Sequence, residues 1–280
     1  MLFRSVVNVS DKLPYVDLMD YESTARFLEL THQAYYDRFR EAFDAGVFEA
    51  MFTDEPSLMS GYLVQEEQPY AMIAWSRGLR EEFYEIYGYD LVDQLPLLFE
   101  GDPKVAGSVR RDFYALVTRK VRHSFFQQIR DWCRDHNIAA TGHILLEEGI
   151  IHHVAFYGDG LSCLLDFDIP GCDQLCSDPR AFLGNGQIPP EKLATSAAHL
   201  QGLTQTMTET SDYQQRLAKQ SVTELDIRAT LGWQFAMGIN TITSYYPWRD
   251  WDPDFAGRLN DYTERCCQWL RHSQPLTKVA

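Results

Sequence analysis

The chain has 280 residues, of which 45% are hydrophobic, 23% charged and 13% aromatic. This composition is typical of a globular protein with a sizeable core, and it excludes a disordered or low-complexity chain. The 40 Asp and Glu residues outnumber the 25 Lys and Arg residues, giving a formal charge of −15. So acidic a chain disfavours nucleic acids and anionic lipid surfaces as partners, and favours a small neutral or cationic ligand.

Cysteines and apolar runs narrow the protein class further. The six cysteines have neither the pattern of a disulfide scaffold nor that of a four-cysteine zinc site, so reduced and mostly buried thiols are expected. No apolar run approaches the roughly 20 residues that a membrane span requires. The segment Met1–Arg4 lacks the layout of a signal peptide. On this basis the sequence predicts a soluble, cytoplasmic protein without a membrane partner.

Short β-type runs alternate with helical patterns along the chain. The six predicted strands, in chain order, are Tyr15–Leu18, Phe48–Thr53, Ile138–His143, Leu164–Ile169, Leu203–Thr208 and Ile239–Ser244. The predicted helices, each with apolar residues at three- and four-residue steps, are about Tyr21–Ala45, Leu79–Tyr87, Ser108–His136, Lys192–Leu200, Val222–Met237 and Phe255–Leu270. Ser5–Val9 and Tyr70–Trp75 are candidates for further strands.

This alternation predicts an α/β protein with a parallel sheet. A nucleotide-binding doubly wound sheet needs a glycine-rich turn after its first strand, and residues 17–23 contain no glycine. Polar residues end several predicted strands, which favours a (β/α)8 TIM-type barrel, where strand ends gather around one site. Because no linker is evident, one barrel domain is expected over residues 1–280, with no second domain. Six units are two short of eight, so either the candidate strands complete the barrel or its first strands lie elsewhere.

The segment 52–56 is the best candidate for chemistry. An apolar strand delivers two adjacent carboxylates, Asp54 and Glu55, to its end, where Pro56 stops the ladder. Since side chains alternate across a strand, only one of the two carboxylates is expected to point into the barrel mouth. A carboxyl group in a partly apolar pocket acquires a raised pKa and can act as a general acid near neutrality. The alternative is a capping Asp and a solvated Glu.

Glu209 ends the fifth predicted strand and is the candidate partner of Glu55. Glycoside hydrolysis requires two carboxyl groups on opposite sides of the scissile bond, one as acid and one as base or nucleophile. Strands three units apart would place Glu55 and Glu209 across a barrel mouth. The alternative is a glutamate of a surface loop.

His143 ends the third predicted strand and is followed by Glu147 and Glu148. Its ring can bind sugar hydroxyls or orient a carboxylate, although a polar side chain that only satisfies a strand end is the alternative. His152 and His153 follow soon after, but their spacing matches no H-E-x-x-H zinc motif. The sequence therefore requires no metal or other cofactor.

Aromatic and acidic residues near the predicted mouth are candidates for binding a sugar, because aromatic faces suit the C–H faces of sugar rings. Trp75 or Trp248 would stack on a ring, while Asp17, His143, Asp173 and Tyr245 would hold hydroxyl groups. The full set of predicted binding residues is Asp17, Asp54, Trp75, His143, Glu147, Asp173, Tyr245 and Trp248.

Several of these segments, in order, resemble parts of large bacterial glycoside hydrolases. The segments are 16–18, 27–32 with 35–36, 52–56, 132–133, 141–143, 147–148, 170–173, 196–199 and Glu209. Together they resemble the barrel of the α-L-rhamnosidase-like group, glycoside hydrolase family 106 and its relatives. The resemblance implies an inverting hydrolase that releases terminal α-L-rhamnosides from a poly- or oligosaccharide, with calcium assisting sugar binding in some members. It also implies Glu55 and Glu209 as the catalytic pair, with Glu147 and Glu148 as further candidates for the base.

Members of that family are typically far longer, with β-sandwich domains and eight barrel strands. Here the chain begins where a third strand is expected, which predicts a shortened protein or a fragment. Missing strands would expose barrel edges and favour dimerisation or aggregation, so a homo-oligomer is expected. Two other functions remain open at this point, a carbohydrate-binding barrel without catalysis and a metal-dependent sugar isomerase.

Overall fold

The computed structural model describes residues 8–10, 13–14, 16–58, 73–178, 180, 189–271 and 273. The chain divides into two compact units. The first comprises Met1–Ala50, Pro56–Ile138 and Ile151–Asp166, and the second comprises Met51–Glu55, Ala139–Ile150 and Phe167–Ala280. The expectation of one domain over the whole chain stays a prediction.

The first unit is mainly helical. Its helices are α1 (Tyr21–Leu28), α2 (Ala34–Asp44), α3 (Leu79–Tyr87), α4 (Leu91–Phe99), α5 (Pro103–Val121), α6 (Gln127–Asp135), α7 (Ile150–Tyr157, whose first residue belongs to the second unit) and α8 (Gly160–Leu164). Single π-helical turns, Glu29–Gln33 and Arg122–Phe126, join α1 to α2 and α5 to α6. Strands β1 (Asn8–Ser10) and β2 (Leu13–Pro14) form an antiparallel pair. The helices predicted from Tyr21 and over Leu79–Tyr87 are confirmed, and the one predicted from Ser108 begins earlier, at Pro103.

A buried ion cluster accompanies the apolar core of this unit. The side chain of Asp166 is only 2% exposed and lies 2.7 Å from Arg122 Nε and 3.1 Å from Arg130 Nη1. Gln127 donates a further hydrogen bond to the same carboxylate. A buried charge is tolerated only when it is paired in this way, so these contacts hold the start of α6 against the end of α8.

The first predicted strand, Tyr15–Leu18, is wrong. Residues 16–17 are irregular and residues 18–19 form a turn, while Tyr15 lies outside the described residues. Asp17 accepts hydrogen bonds from the backbone N–H of Met19 (3.0 Å) and from Ser76 Oγ (2.7 Å). A side chain that bonds to nearby backbone favours a turn over a strand.

The two candidate additional strands have different outcomes. Asn8 and Val9 belong to β1, which pairs with β2 and not with the larger sheet, whereas residues 5–7 lie outside the described residues. Residues 70–72 also lie outside them, and residues 73–75 are irregular.

The second unit contains a five-stranded parallel sheet that curls like half a barrel. Its strands follow chain order across the sheet: β3 (Ala50–Thr53), β4 (Ala139–Gly142), β5 (Ile169–Gln174), β6 (Met207–Thr210) and β7 (Thr241–Ser244). The helices of this unit are α9 (Pro190–Gln201), α10 (Tyr213–Leu217), α11 (Glu224–Met237) and α12 (Pro253–Arg271). The α/β class is confirmed, and a complete (β/α)8 barrel stays a prediction.

The fourth predicted strand is displaced along the chain. Leu164–Ile169 was expected to stop at Pro170, but β5 begins at Ile169 and continues through Pro170 to Gln174. Pro170 lacks a backbone N–H, yet the ladder with β6 begins one residue later, at the pair Gly171–Met207, so proline interrupts no bond to β6. The preceding residues form α8 instead, because the Asp159 side chain caps its first turn.

Glycines allow the strands to approach closely near their carboxyl ends. A Cβ atom on Gly142 would lie 2.2 Å from the carbonyl oxygen of Thr53, and its φ of +150° is one that other residues rarely adopt. A Cβ atom on Gly171 would lie 2.7 Å from the carbonyl oxygen of Gly142. The ends of β3, β4 and β5 therefore meet at short range.

Two further features concern the whole chain. All six cysteines are free thiols, and all but Cys266 are buried. In the described part of the chain, no helix combines the length and the apolarity needed to cross a membrane.

Candidate active site

A cluster of ionisable side chains lies at the carboxyl ends of the strands of the second unit, centred on His143. This residue directly follows β4, and its backbone N–H donates to the carbonyl oxygen of Thr53 at 3.2 Å. Its fully buried ring has Nε2 3.1 Å from Glu209 Oε2 and 3.4 Å from Asp54 Oδ1. On the other side of the ring, Nδ1 lies 3.5 Å from Glu147 Oε1.

The surroundings of the His143 ring favour its charged form. Burial by itself would lower its pKa, but the hydrogen bond to Glu209 and the charges of the surrounding carboxylates raise the pKa to about 9. His143 contacts the carboxylate of Glu209, and its role in orienting that carboxylate stays a prediction.

Glu209 lies one residue before the end of the backbone pairing that joins β5, β6 and β7. It pairs with Asp173 on β5 and with Thr243 on β7, so these three side chains share one face of the sheet. The Glu209 side chain is 18% exposed, and solvent can reach it while one oxygen contacts His143.

Asp54, the first carboxylate after β3, contacts the cluster directly, and Glu55 is affected by the charges of the cluster, while the prediction that only one of the two points into a barrel mouth stays a prediction. Asp54 is 66% exposed on its side chain and points an oxygen at His143. Glu55 has φ +42°, a left-handed conformation that breaks the alternation of the strand. Its carboxyl group is partly buried, and this burial raises its pKa, an effect that the His143 charge opposes and Asp54, Glu209 and Glu148 reinforce.

Glu147 and Asp173 are linked by a hydrogen bond, and Glu147 is buried whereas Asp173 is half-buried. The backbone N–H of Asp173 donates to Glu147 Oε1 at 3.1 Å. Burial, opposed by the charge of His143, raises the pKa of Glu147 to about 8 and that of Asp173 to about 7. Asp173 Oδ1 is buried and has no hydrogen-bond partner. Glu147 is 3% exposed, so it faces His143 and the Asp173 backbone more than solvent.

Glu148 is the remaining carboxyl group near the cluster. It is half-buried, and its charge contributes to the raised pKa values of Glu55 and Glu147. Its role as an alternative base stays a prediction.

Of the predicted aromatic ligands in this unit, Tyr245 is the more accessible. It follows β7, its backbone N–H donates to the Thr210 carbonyl oxygen at 2.9 Å, and 56% of the residue is exposed. Trp248 instead packs against Tyr246 and Trp251, with ring centroids 6.1 and 4.9 Å away. The stacking role of Trp248 stays a prediction, and its observed contacts are those of a core residue.

Asp17 and Trp75 belong to the first unit. Asp17 accepts the two hydrogen bonds of the turn before α1, as described above. Trp75 is half-buried beside Ser76. Their roles in sugar binding stay predictions.

Sequence reasoning missed two residues of the cluster. The Phe52 ring lies 5.5 Å from the His143 ring between centroids, and 41% of Phe52 is exposed. Thr243 shares the face of Glu209 through the β6–β7 register. Phe52 could have been predicted, because it lies two residues before Asp54 and side chains alternate along a strand. Thr243 could be identified only from the register between β6 and β7.

The family resemblance implies calcium in some members, so the ligand atoms of the cluster can be compared with those that calcium requires. Asp54, His143 and Glu209 each present an atom within 4.8 Å of the others. Calcium takes about six to eight oxygen ligands. The cluster offers two carboxylates, one of them mostly exposed, and one imidazole nitrogen that holds a proton. This set does not fit the requirement of calcium. The imidazolium already supplies a positive charge at this position.

Comparisons with known proteins bear on the fold. No protein-family model and no curated protein matches this chain. Among solved structures, a rhamnosidase from Novosphingobium sp. PP1Y is similar with a TM-score of 0.60 and 18% identity, over 94% of this chain and 26% of that chain. The chain thus spans about a quarter of the length of that protein. At this identity the likeness concerns the fold, and the fold of this chain is similar to a part of a rhamnosidase.

Proposed function

We propose that this site hydrolyses a glycosidic bond, with Glu55 as the general acid and Glu209 as the base. The observation that carries the proposal is the presence of two carboxyl groups in different surroundings at one edge of the sheet. Glu209 Oε2 lies 3.1 Å from His143 Nε2 and its side chain is 18% exposed, whereas burial raises the pKa of Glu55. Two carboxyl groups kept in different protonation states are what glycoside hydrolysis requires.

The reaction follows from these states. Glu55 donates its proton to the glycosidic oxygen as the bond from this oxygen to the anomeric carbon breaks, and the aglycone leaves as an alcohol. Glu209 removes a proton from a water molecule whose oxygen forms the new bond to the anomeric carbon. The water attacks from the side opposite the leaving group, so the anomeric configuration inverts, as the family resemblance implies. Glu55 ends as a carboxylate and Glu209 as an acid, and exchange with solvent restores both.

The substrate class is proposed from the chemistry of the site and from the fold. Asp54 and Glu148 add negative charge beside the catalytic pair, which favours sugars with hydroxyl groups over uronic acids. The exposed Phe52 and Tyr245 offer faces to the C–H side of a sugar ring. The similarity of fold to a protein named a rhamnosidase, together with the sequence motifs, makes a terminal α-L-rhamnoside the first candidate.

The test is release of nitrophenol from a panel of aryl glycosides that includes the α-L-rhamnoside. Glu55→Gln should slow hydrolysis because an amide has no acidic proton to donate. The loss should be far larger for an alkyl glycoside of the same sugar than for the nitrophenyl glycoside, whose leaving group needs little protonation. The melting temperature should stay within a few degrees of the wild-type value. Glu49→Gln is the matched control, since Glu49 is an exposed glutamate just before the same strand. Undiminished turnover by Glu55→Gln would overturn the assignment of the acid.

A second candidate is carbohydrate binding without catalysis. It is favoured by the sheet, which has five strands among the described residues, fewer than the eight of a complete barrel. Folded protein that binds L-rhamnose saturably but releases no nitrophenol from any glycoside of the panel would support this candidate over the hydrolase.

A further inference from the structure

Asp173 has an unusual environment within the cluster. Its backbone N–H is bound by Glu147, and its Oδ1 atom is buried without a hydrogen-bond partner. A buried polar atom without a partner is costly, and such atoms in native proteins call for an explanation. Asp173 as a residue is only partly buried, so a ligand that binds at the exposed part of its carboxyl group is one such explanation.

The register of the sheet sets Asp173 beside a carboxylate. Asp173 on β5 pairs with Glu209 on β6, and paired residues of parallel strands project to the same face. His143 contacts Glu209 through Nε2 at 3.1 Å. Two neighbouring carboxyl groups do not both ionise readily, so a proton on Asp173 relieves the repulsion between them.

We propose that Asp173 acts as an uncharged carboxylic acid that binds a sugar hydroxyl, both donating and accepting a hydrogen bond. An ionised carboxylate can only accept, whereas a protonated one offers an O–H donor and a carbonyl acceptor. A sugar hydroxyl has the matching acceptor and donor. This role deepens the proposed hydrolase and rests on it. Asp173 is thereby a residue that determines which hydroxyl pattern the site accepts.

The surrounding charges agree with this geometry. The groups whose charges act most on Asp173 are His143, Glu209, Glu55 and Asp54, and Glu147, which accepts the hydrogen bond from the Asp173 backbone N–H, also faces it. Burial is the largest influence and raises the pKa of Asp173 to about 7, His143 opposes the rise, and the three carboxylates add to it. Asp173 is therefore mainly protonated below pH 7 and loses its proton as the pH rises above 7.

Two variants separate the uncharged acid from a carboxylate. Asp173→Asn keeps a neutral donor and acceptor of nearly the same shape, whereas Asp173→Leu removes both. The probe is L-rhamnose, and its affinity is measured by calorimetry at pH 6. Asp173→Asn should bind it within about threefold of the wild-type affinity, and Asp173→Leu should bind it about tenfold more weakly. At pH 8.5 the wild type should bind more weakly than at pH 6, and this loss should be smaller for Asp173→Asn, in which Glu147 and His143 still titrate but residue 173 does not. The proposal would be overturned if Asp173→Asn bound L-rhamnose as weakly as Asp173→Leu, or if its affinity kept the wild-type dependence on pH.

A second measurement needs no ligand. The ¹³C carboxyl resonance of Asp173, assigned by its loss in Asp173→Asn, should titrate near pH 7 in the free protein. Titration near the ordinary value of about 4 overturns the uncharged state even where sugar binds. If the wild type binds no sugar, the sugar-binding role fails together with the proposed function, and the titration still decides the charge of Asp173. The two failures are therefore distinguishable.

Discussion

The imidazole of His143 joins carboxylates from three separate segments of the chain. Asp54 follows β3, Glu147 lies in the loop after β4, and Glu209 ends β6, and each has an oxygen within 3.5 Å of a ring nitrogen. Donation from both nitrogens at once requires the ring to carry two protons, because a neutral ring can donate from only one nitrogen. The charge of this one residue therefore affects contacts to all three segments.

His143→Gln is expected to destabilise the protein most at low pH. The folded-state pKa of about 9 lies above the ordinary value of 6.5, so the contribution of the charged ring is fully present below pH 6.5 and is lost as the pH rises through about 9. Breaking a buried ion pair costs about 3–5 kcal/mol. Urea unfolding of wild type and variant at pH 6, 7.5 and 9 measures the difference, which should shrink as the pH rises. A difference that is constant or grows with pH would contradict a charged His143.

The sequence predicted the members of this site better than their states. Asp54, Glu55, His143 and Glu209 could be named because polar residues at the ends of successive parallel strands converge. The left-handed φ of Glu55 could not be predicted, since a non-glycine residue rarely adopts it. The shifted pKa of Asp173 also depends on burial and on the β5–β6 register, which no local pattern encodes.

Among the elements, the close approach of β3 and β4 gives a sharp prediction. Gly142→Ala should cost about 3 kcal/mol of unfolding free energy and reduce hydrolysis, because its Cβ would displace the Thr53 carbonyl and with it Asp54 and Glu55. Gly46→Ala is the control, since Gly46 also has a positive φ (+68°) but no atom within 4 Å of an added Cβ. That control should cost about 1 kcal/mol. Equal costs for the two variants, measured by urea unfolding, would refute the steric explanation.

The element predictions failed where local chemistry overrode apolar patterning. Helices with long periodic faces were found, and α3 matches its predicted bounds of Leu79–Tyr87. Val16–Leu18 looked like a strand, but the Asp17 side chain forms a turn there. Proline and glycine at 170–171 looked like a strand end, but only tertiary context reveals that glycine is needed there for the approach of Gly142.

At the scale of the whole molecule, the open sheet predicts association. Among the described residues no strand pairs with the outer edge of β7, and such an edge can pair with another chain. The N–H of Tyr245 points to β6, so by alternation the N–H of Ser244 points outward. Ser244→Pro should therefore weaken self-association without breaking the β6–β7 ladder. Sedimentation over a concentration series measures this, and a wild type that remains monomeric throughout would contradict the prediction.

The buried carboxyl cluster also makes folding a proton-binding reaction. His143, Glu147 and Asp173 have folded-state pKa values of about 9, 8 and 7, each above its ordinary value, so at pH 8 the native chain holds protons that the unfolded chain releases. Stability should therefore decline as the pH rises from about 7 to 9. In calorimetry at pH 8, the apparent unfolding enthalpy should be smaller in Tris, whose protonation releases much heat, than in phosphate, whose protonation releases little. Equal enthalpies in the two buffers would mean that the cluster exchanges no protons on unfolding.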